Sequence, residues 1–150
     1  MIGTPLEDGM VILVVEDDPL TAMTLELTLA RAGYQVLGPA ATTTEASNLV
    51  KTTRPDLALV DINLSEDGNG VVLARELRRQ GVLSLFTSGQ SGEARANTDA
   101  AIGYIGKPYT PELVLESIAM VRAALDGDRV PDAPFGLEIF REQAVAARPA

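Results

Sequence analysis

Residues 11–19 read VILVVEDDP, and this stretch decides the fold. Val11–Val15 is an unbroken apolar run, mostly β-branched, the pattern of a strand buried on both faces. Acids follow at once, and Pro19 comes after Asp18. Asp18 therefore reads as a helix N-cap and Pro19 as the first helical residue. A buried strand that passes through a short polar turn into a helix is the repeating unit of a parallel α/β sheet.

The same pattern recurs along the chain. LALV ends in Asp61, VLSLF ends in Thr87 and Ser88, and a short run through Tyr104 and Ile105 ends at Gly106, Lys107 and Pro108. Parallel strands would bring these polar ends to one carboxyl edge, where open α/β sheets bind ligands. Between the strands, Leu20, Met23, Leu27 and Ala30 follow helical spacing, with Gly33 as the stop. Residues 34–38 form a second short strand. Thr42 and Glu45 have capping-box spacing before the stripe Ala46, Leu49, Val50, and Pro55 ends that segment. Residues 62–69 are a mostly polar, Gly-containing loop. Val72, Leu73 and Leu77 mark a third helix, with Arg75, Arg78 and Arg79 on its wet side. Residues 88–101 contain no large aliphatic side chain, so a helix there has little to bury and is expected to be mobile or brief. Thr110, Pro111 and Glu112 open the last helix, whose core face is Leu113, Val114, Ser117, Ile118 and Val121 and which ends at Asp126-Gly127.

Strand–helix alternation five times over predicts a doubly wound α/β domain around a five-stranded parallel sheet. Residues 1–9 read as a flexible arm, 10–125 as the domain, and 126–150 as a C-terminal tail with no output domain. Residues 135–147 permit one amphipathic helix through Ile139 and Phe140.

Composition narrows the function. The 150 residues carry 12 Lys and Arg against 21 Asp and Glu, a net charge of −9 that repels phosphate backbones and argues against direct nucleic-acid binding. Cys and His are both absent, which excludes thiolate and imidazole metal sites and Ser-His catalysis. No run approaches the roughly 20 apolar residues of a membrane span. The N-terminus has no signal-peptide pattern. The expectation is a cytoplasmic protein with no membrane association.

The residues at the sheet edge suit a divalent cation and a phosphoryl group. Glu16, Asp17 and Asp61 would repel one another in one pocket unless a cation lay among them. Such hard oxygen donors suit Mg²⁺. Asp61, at the end of an apolar strand, is a candidate nucleophile of the aspartyl-phosphate kind. Strand alternation lets only one of Thr87 and Ser88 face the site. Ser88 is favoured because Gly89 beside it leaves room. Lys107, one of two lysines in the chain, would offset the acids and pair with the phosphoryl group. Tyr104 reads on its own as edge packing.

Taken singly these residues are not specific, but their order and spacing are. Glu16 to Asp61 spans 45 positions, Asp61 to Ser88 spans 27, and Ser88 to Lys107 spans 19. The chain here resembles the receiver domains of two-component response regulators over residues 10–125. That resemblance implies the flavodoxin-like receiver fold with strand order 2-1-3-4-5. It implies Mg²⁺ on Glu16, Asp17, Asp61 and the Asn63 carbonyl, and a phosphoryl group on Asp61 from a histidine kinase or phosphotransfer protein. It further implies a switch hydroxyl on Ser88 (or Thr87), Lys107 as the family's lysine before a proline, Tyr104 as the switch aromatic, and signalling to a downstream protein partner rather than enzymatic turnover. Phe86-Thr87-Ser88-Gly89-Gln90 is similar to the Phe-Ala-Thr-Gly-Tyr of single-domain receivers with an irregular fourth helix. Two alternatives remain. One is an aspartyl-phosphate phosphohydrolase, although such enzymes place the nucleophile after their first strand. The other is a phosphorylation-independent adaptor, which would not need the acids, hydroxyl and lysine together.

Overall fold

The computed structural model describes residues 9–64, 68–127 and 132–140. In chain order the elements are β1 (Val11–Val15), α1 (Pro19–Arg31), β2 (Gln35–Ala40), α2 (Thr43–Thr52), β3 (Leu57–Asp61), β4 (Asn63–Leu64), β5 (Gly68–Asn69), α3 (Gly70–Arg79), β6 (Leu83–Ser88), α4 (Ser91–Arg95), β7 (Gly103–Gly106), α5 (Pro111–Leu125) and β8 (Leu137–Ile139). The central sheet runs β2-β1-β3-β6-β7-β8. Its first five strands are parallel, in the predicted order, and β8 adds an antiparallel edge. The polar loop after β3 contains a short antiparallel hairpin, β4 against β5. The expected arm at 1–9 lies almost wholly outside the described residues.

Strand alternation builds two apolar layers. Leu13, Val15, Ala58, Val60 and Phe86 face α2, α3 and α4. Ile12, Val14, Leu57, Leu59, Leu85 and Ile105 face α1 and α5, meeting Leu25, Leu29, Val114, Ile118 and Val121. Local signals hold the helix starts in place. Asp18, Thr42, Asn69 and Thr110 each accept a backbone N–H from the first turn that follows. The Glu45 carboxylate reaches back to the Ala41 N–H at 2.7 Å, one residue before the expected capping-box partner.

Four expectations are corrected. On α1 the buried stripe is Ala22, Leu25 and Leu29, whereas Leu20, Met23 and Leu27 are 71%, 53% and 48% exposed. Both stripes have helical spacing, and the sheet selects the one with small Ala22, which lets the helix lie close. On α3 the core residues are Val71, Leu73, Ala74 and Leu77, while Val72 is exposed and Arg78 is half-buried. The predicted helix over 135–147 is, in its described part, a turn at Phe135–Gly136 followed by β8. Pairing with the open edge of β7 outweighs local helical patterning, because it satisfies an edge that would otherwise be bare.

The fourth concerns residues 88–101. The helix there is only five residues long, as expected of so small an apolar face. Its alanines nevertheless do bury: Ala94, Ala100 and Ala101 are sealed against the sheet. Arg75 closes the segment from outside, bonding Asp99 through Nε at 2.9 Å and Nη2 at 3.1 Å, and Asn97 through Nη2 at 2.8 Å. Arg75→Ala should leave global stability nearly unchanged, as loss of a solvent-exposed ion pair usually does. It should instead speed exchange of the Ala100 amide, which donates to the Asn97 carbonyl at 3.0 Å. Unchanged Ala100 protection in the variant would show that the buried alanines alone hold the segment.

Candidate functional site

Glu16 follows β1, Asp61 ends β3 and Lys107 follows β7, so three strand ends deliver them to one edge. Lys107 Nζ donates to Glu16 Oε1 and to Asp61 Oδ2, both at 3.1 Å. Glu16 Oε2 accepts the Asp18 N–H at 3.1 Å, and Asp61 Oδ1 accepts the Asn63 N–H at 3.0 Å. Both carboxylates are buried, so their charge is tolerable only with such partners. Burial, above all, holds the Glu16 carboxyl above its usual value, and Asp61's charge adds to this; the Asp18 N–H and Lys107 oppose it. Burial likewise works against the Lys107 ammonium, but the two carboxylates outweigh it and keep the lysine more basic than usual.

Asp17, half-buried, completes the acid group. One carboxylate oxygen each from Glu16, Asp17 and Asp61 lies within 4.8 Å of the others. Oxygens on an octahedral Mg²⁺ sit about 2.0–2.1 Å from the ion. A donor set of this type and spread fits such an ion with small side-chain movements. Gly70, the first residue of α3, packs against this strand end: a Cβ there would collide with the Asp61 carbonyl oxygen.

The two hydroxyl candidates differ in placement. Thr87 is the register partner of Asp61 across β3 and β6, and Ser88 is one residue on, with opposite parity. Ser88 Oγ donates to the Gln90 carbonyl and accepts the Gln90 N–H, both at 2.9 Å. Its backbone carbonyl accepts the Lys107 N–H at 2.8 Å. Tyr104 is buried, with its ring 6.2 Å from that of Phe140 and the Arg95 guanidinium 5.9 Å above it. Asn63 is exposed at the start of the hairpin.

Sequence reasoning missed two neighbours of the site. A cleft lined by Leu20, Thr21, Thr24, Lys107, Pro108 and Tyr109 opens beside Lys107. Burial, with the charges of Glu16, Asp61 and Asp18, pushes the Tyr109 hydroxyl well above its usual value, so it stays protonated. The signal was present, since Tyr109 lies two positions past Lys107 and Leu20 two past Asp18.

Comparison with known proteins agrees with this geometry. The chain matches the family described as "Response regulator receiver domain" over residues 12–119. It is 31% identical over 135 residues to the aerobic respiration control protein ArcA of Escherichia coli (strain K12), covering 87% of this chain and 56% of that protein. This chain thus spans little more than half of that relative. It is 29% identical over 118 residues to the chemotaxis protein CheY of Thermotoga maritima, covering 75% of this chain and 98% of that one. A solved response regulator from Burkholderia pseudomallei, with a phosphorylated aspartic acid, a calcium ion and citrate, superposes with a TM-score of 0.63 at 29% identity, over 71% of this chain and 64% of that one. The region that carries the acids, the hydroxyls and the lysine falls wholly inside the matched span, and the chain belongs to the response regulator receiver domain family.

Proposed function

We propose that this receiver is a phosphorylation-dependent signalling switch. Asp61 takes a phosphoryl group from the phosphohistidine of a histidine kinase or phosphotransfer protein. Glu16, Asp17, Asp61 and the Asn63 carbonyl hold Mg²⁺. The observation that carries this proposal is the Lys107 ammonium bridging Glu16 and Asp61 beside a third acid, at a sheet edge. A carboxylate oxygen of Asp61 attacks phosphorus, the phosphorus–nitrogen bond breaks, and the histidine nitrogen leaves with its electron pair. Bound Mg²⁺ supplies charge neutralisation for the phosphoryl oxygens. Lys107 then shifts from the carboxylates to the new anion. One strand-end hydroxyl donates to a phosphoryl oxygen, either Ser88 after leaving Gln90 or Thr87, the register partner of Asp61.

Leu20, the first residue of the exposed stripe that continues through Met23 and Leu27, lines the cleft beside Lys107. An apolar strip next to the acceptor suits a helix of the phosphodonor protein. Met23→Lys should slow transfer from the donor protein on the order of tenfold, as loss of a central interface contact does. It should leave uptake from acetyl phosphate unchanged. Equal slowing with both donors would place Met23 in folding or chemistry instead.

Backbone NMR with Mg²⁺ and beryllofluoride, a phosphoryl mimic, tests the site. The expected result is amide shifts at Asn63, Ser88, Gly89, Gln90 and Lys107, all absent in Asp61→Asn. Ser88→Ala should remove the shifts at residues 88–90 while Thr87→Val retains them; the reverse pattern would make Thr87 the switch hydroxyl.

A further inference from the structure

β8 lies beyond residues 12–119 that match the family, yet it is built into the sheet. Its register on β7 pairs Gly103 with Ile139, Tyr104 with Glu138 and Ile105 with Leu137. Gly106 N–H donates to the Gly136 carbonyl at 2.9 Å, and Phe140 N–H donates to the Ile102 carbonyl at 2.8 Å. Two glycines suit this docking. A Cβ on Gly103 would collide with the Glu138 carbonyl oxygen, and Gly136 turns into the strand at φ +101°. Side chains add two further ties. Glu138 accepts from Arg95 Nε at 3.0 Å and Nη2 at 2.8 Å, and Phe140 stacks at a tilt on Tyr104.

These ties end on elements that leave the acceptor pocket. α4, which carries Arg95, starts three residues after Ser88. β7, which carries Tyr104, runs directly into Lys107. Arg95 is shared between Glu138 and the Tyr104 ring. A five-residue helix has little packing of its own to resist movement when Ser88 is pulled toward an anion.

We propose that residues 136–140 are an intramolecular cover on the β7 edge, tied through Arg95 and Tyr104 to the pocket, and that they loosen when Asp61 is phosphorylated. Their release uncovers a sheet edge and the Tyr104–Arg95 face for a protein contact. This proposal rests on Asp61 being the phosphoacceptor. The coupling is reciprocal: whatever loosens the cover favours the phosphorylated form.

Amide hydrogen exchange on the full chain, with and without Mg²⁺ and beryllofluoride, tests it. In the wild type the ligand should speed exchange of the Phe140 and Gly106 amides about tenfold, within the usual range of such couplings. Amides of β1 and β3 should keep their protection. Glu138→Lys places a cation against Arg95 at a half-buried position. It should speed the same two amides without ligand and lower the beryllofluoride concentration for half-saturation severalfold. Phe140→Ala is the second variant, with the same expected direction. If the Asn63 and Lys107 amides respond to ligand while Phe140 and Gly106 keep their rates in all three proteins, the cover is static and the proposal is overturned. If Asn63 and Lys107 do not respond at all, the phosphoacceptor assignment itself fails, and the linkage with it.

Discussion

Asp17→Ala should lower Mg²⁺ affinity by at least about 100-fold, the upper range seen when even an outer partner of a metal ligand is lost. Three acids drawn to one sheet edge suit a dication, and loss of any one of them removes both a hard oxygen ligand and a share of the charge that attracts it. Asp17 is the most exposed of the three acids and lies within reach of the other two. Phosphoryl uptake from small donors should fall in parallel, while the apo fold survives. Mg²⁺ titration followed at the Asn63 amide measures this, and an unchanged affinity in the variant would remove Asp17 from the metal set. The same site sets a pH trend. Burial raises the folded-state Glu16 carboxyl above its ordinary 4.5. Its proton therefore favours folding below the ordinary value, and that contribution is lost as pH rises through the folded value. Stabilisation by Mg²⁺ should grow over that same window, because proton and metal compete for the carboxylate. Thermal unfolding with and without Mg²⁺ from about pH 4, just below the ordinary Glu value, to about pH 7 should show the two curves diverging as pH rises.

Lys107→Ala should slow phosphoryl uptake on the order of 100-fold, the usual cost of removing a donor aimed at developing charge. It should also abolish the ligand-induced shifts at residues 88–90. Without the ammonium, two buried carboxylates lose a shared partner, which costs about 1–3 kcal/mol. Against the 5–15 kcal/mol typical of a domain, the fold persists. Mg²⁺ should restore part of the loss, since a dication among the acids replaces the missing charge. The check is adduct yield beside thermal unfolding, each with and without Mg²⁺. Full uptake and full switching in the variant would reduce Lys107 to a structural ion-pair partner.

Much of this was legible in the chain because it is local or strictly periodic. Continuous apolar strands, the caps at Asp18, Thr42 and Thr110, and the polar residues at strand ends all follow from short-range chemistry. The convergence of Glu16, Asp61 and Lys107 followed from parallel strand order alone. The errors share another cause. Leu20, Met23 and Leu27 have the spacing and size of a core stripe, yet burial went to Ala22, Leu25 and Leu29; a helix with two apolar stripes needs its neighbours to choose between them. The surplus stripe is itself the informative feature. The strand at 137–139 depends on an unpaired edge 34 positions earlier at Tyr104↔Glu138, which no local pattern announces, although Gly136 before Leu137 marked a turn. Residues 88–101 were judged by their lack of large aliphatics, but close packing by Ala94, Ala100 and Ala101 and the clasp of Arg75 compensate.

The most direct test of the central claim is intact mass after incubation with Mg²⁺ and phosphoramidate or acetyl phosphate. One phosphoryl adduct should form on the full chain, disappear with a metal chelator, and be absent from Asp61→Asn. No adduct under these conditions, or an adduct of equal yield in Asp61→Asn, would contradict the assignment of this chain as a switch phosphorylated on Asp61.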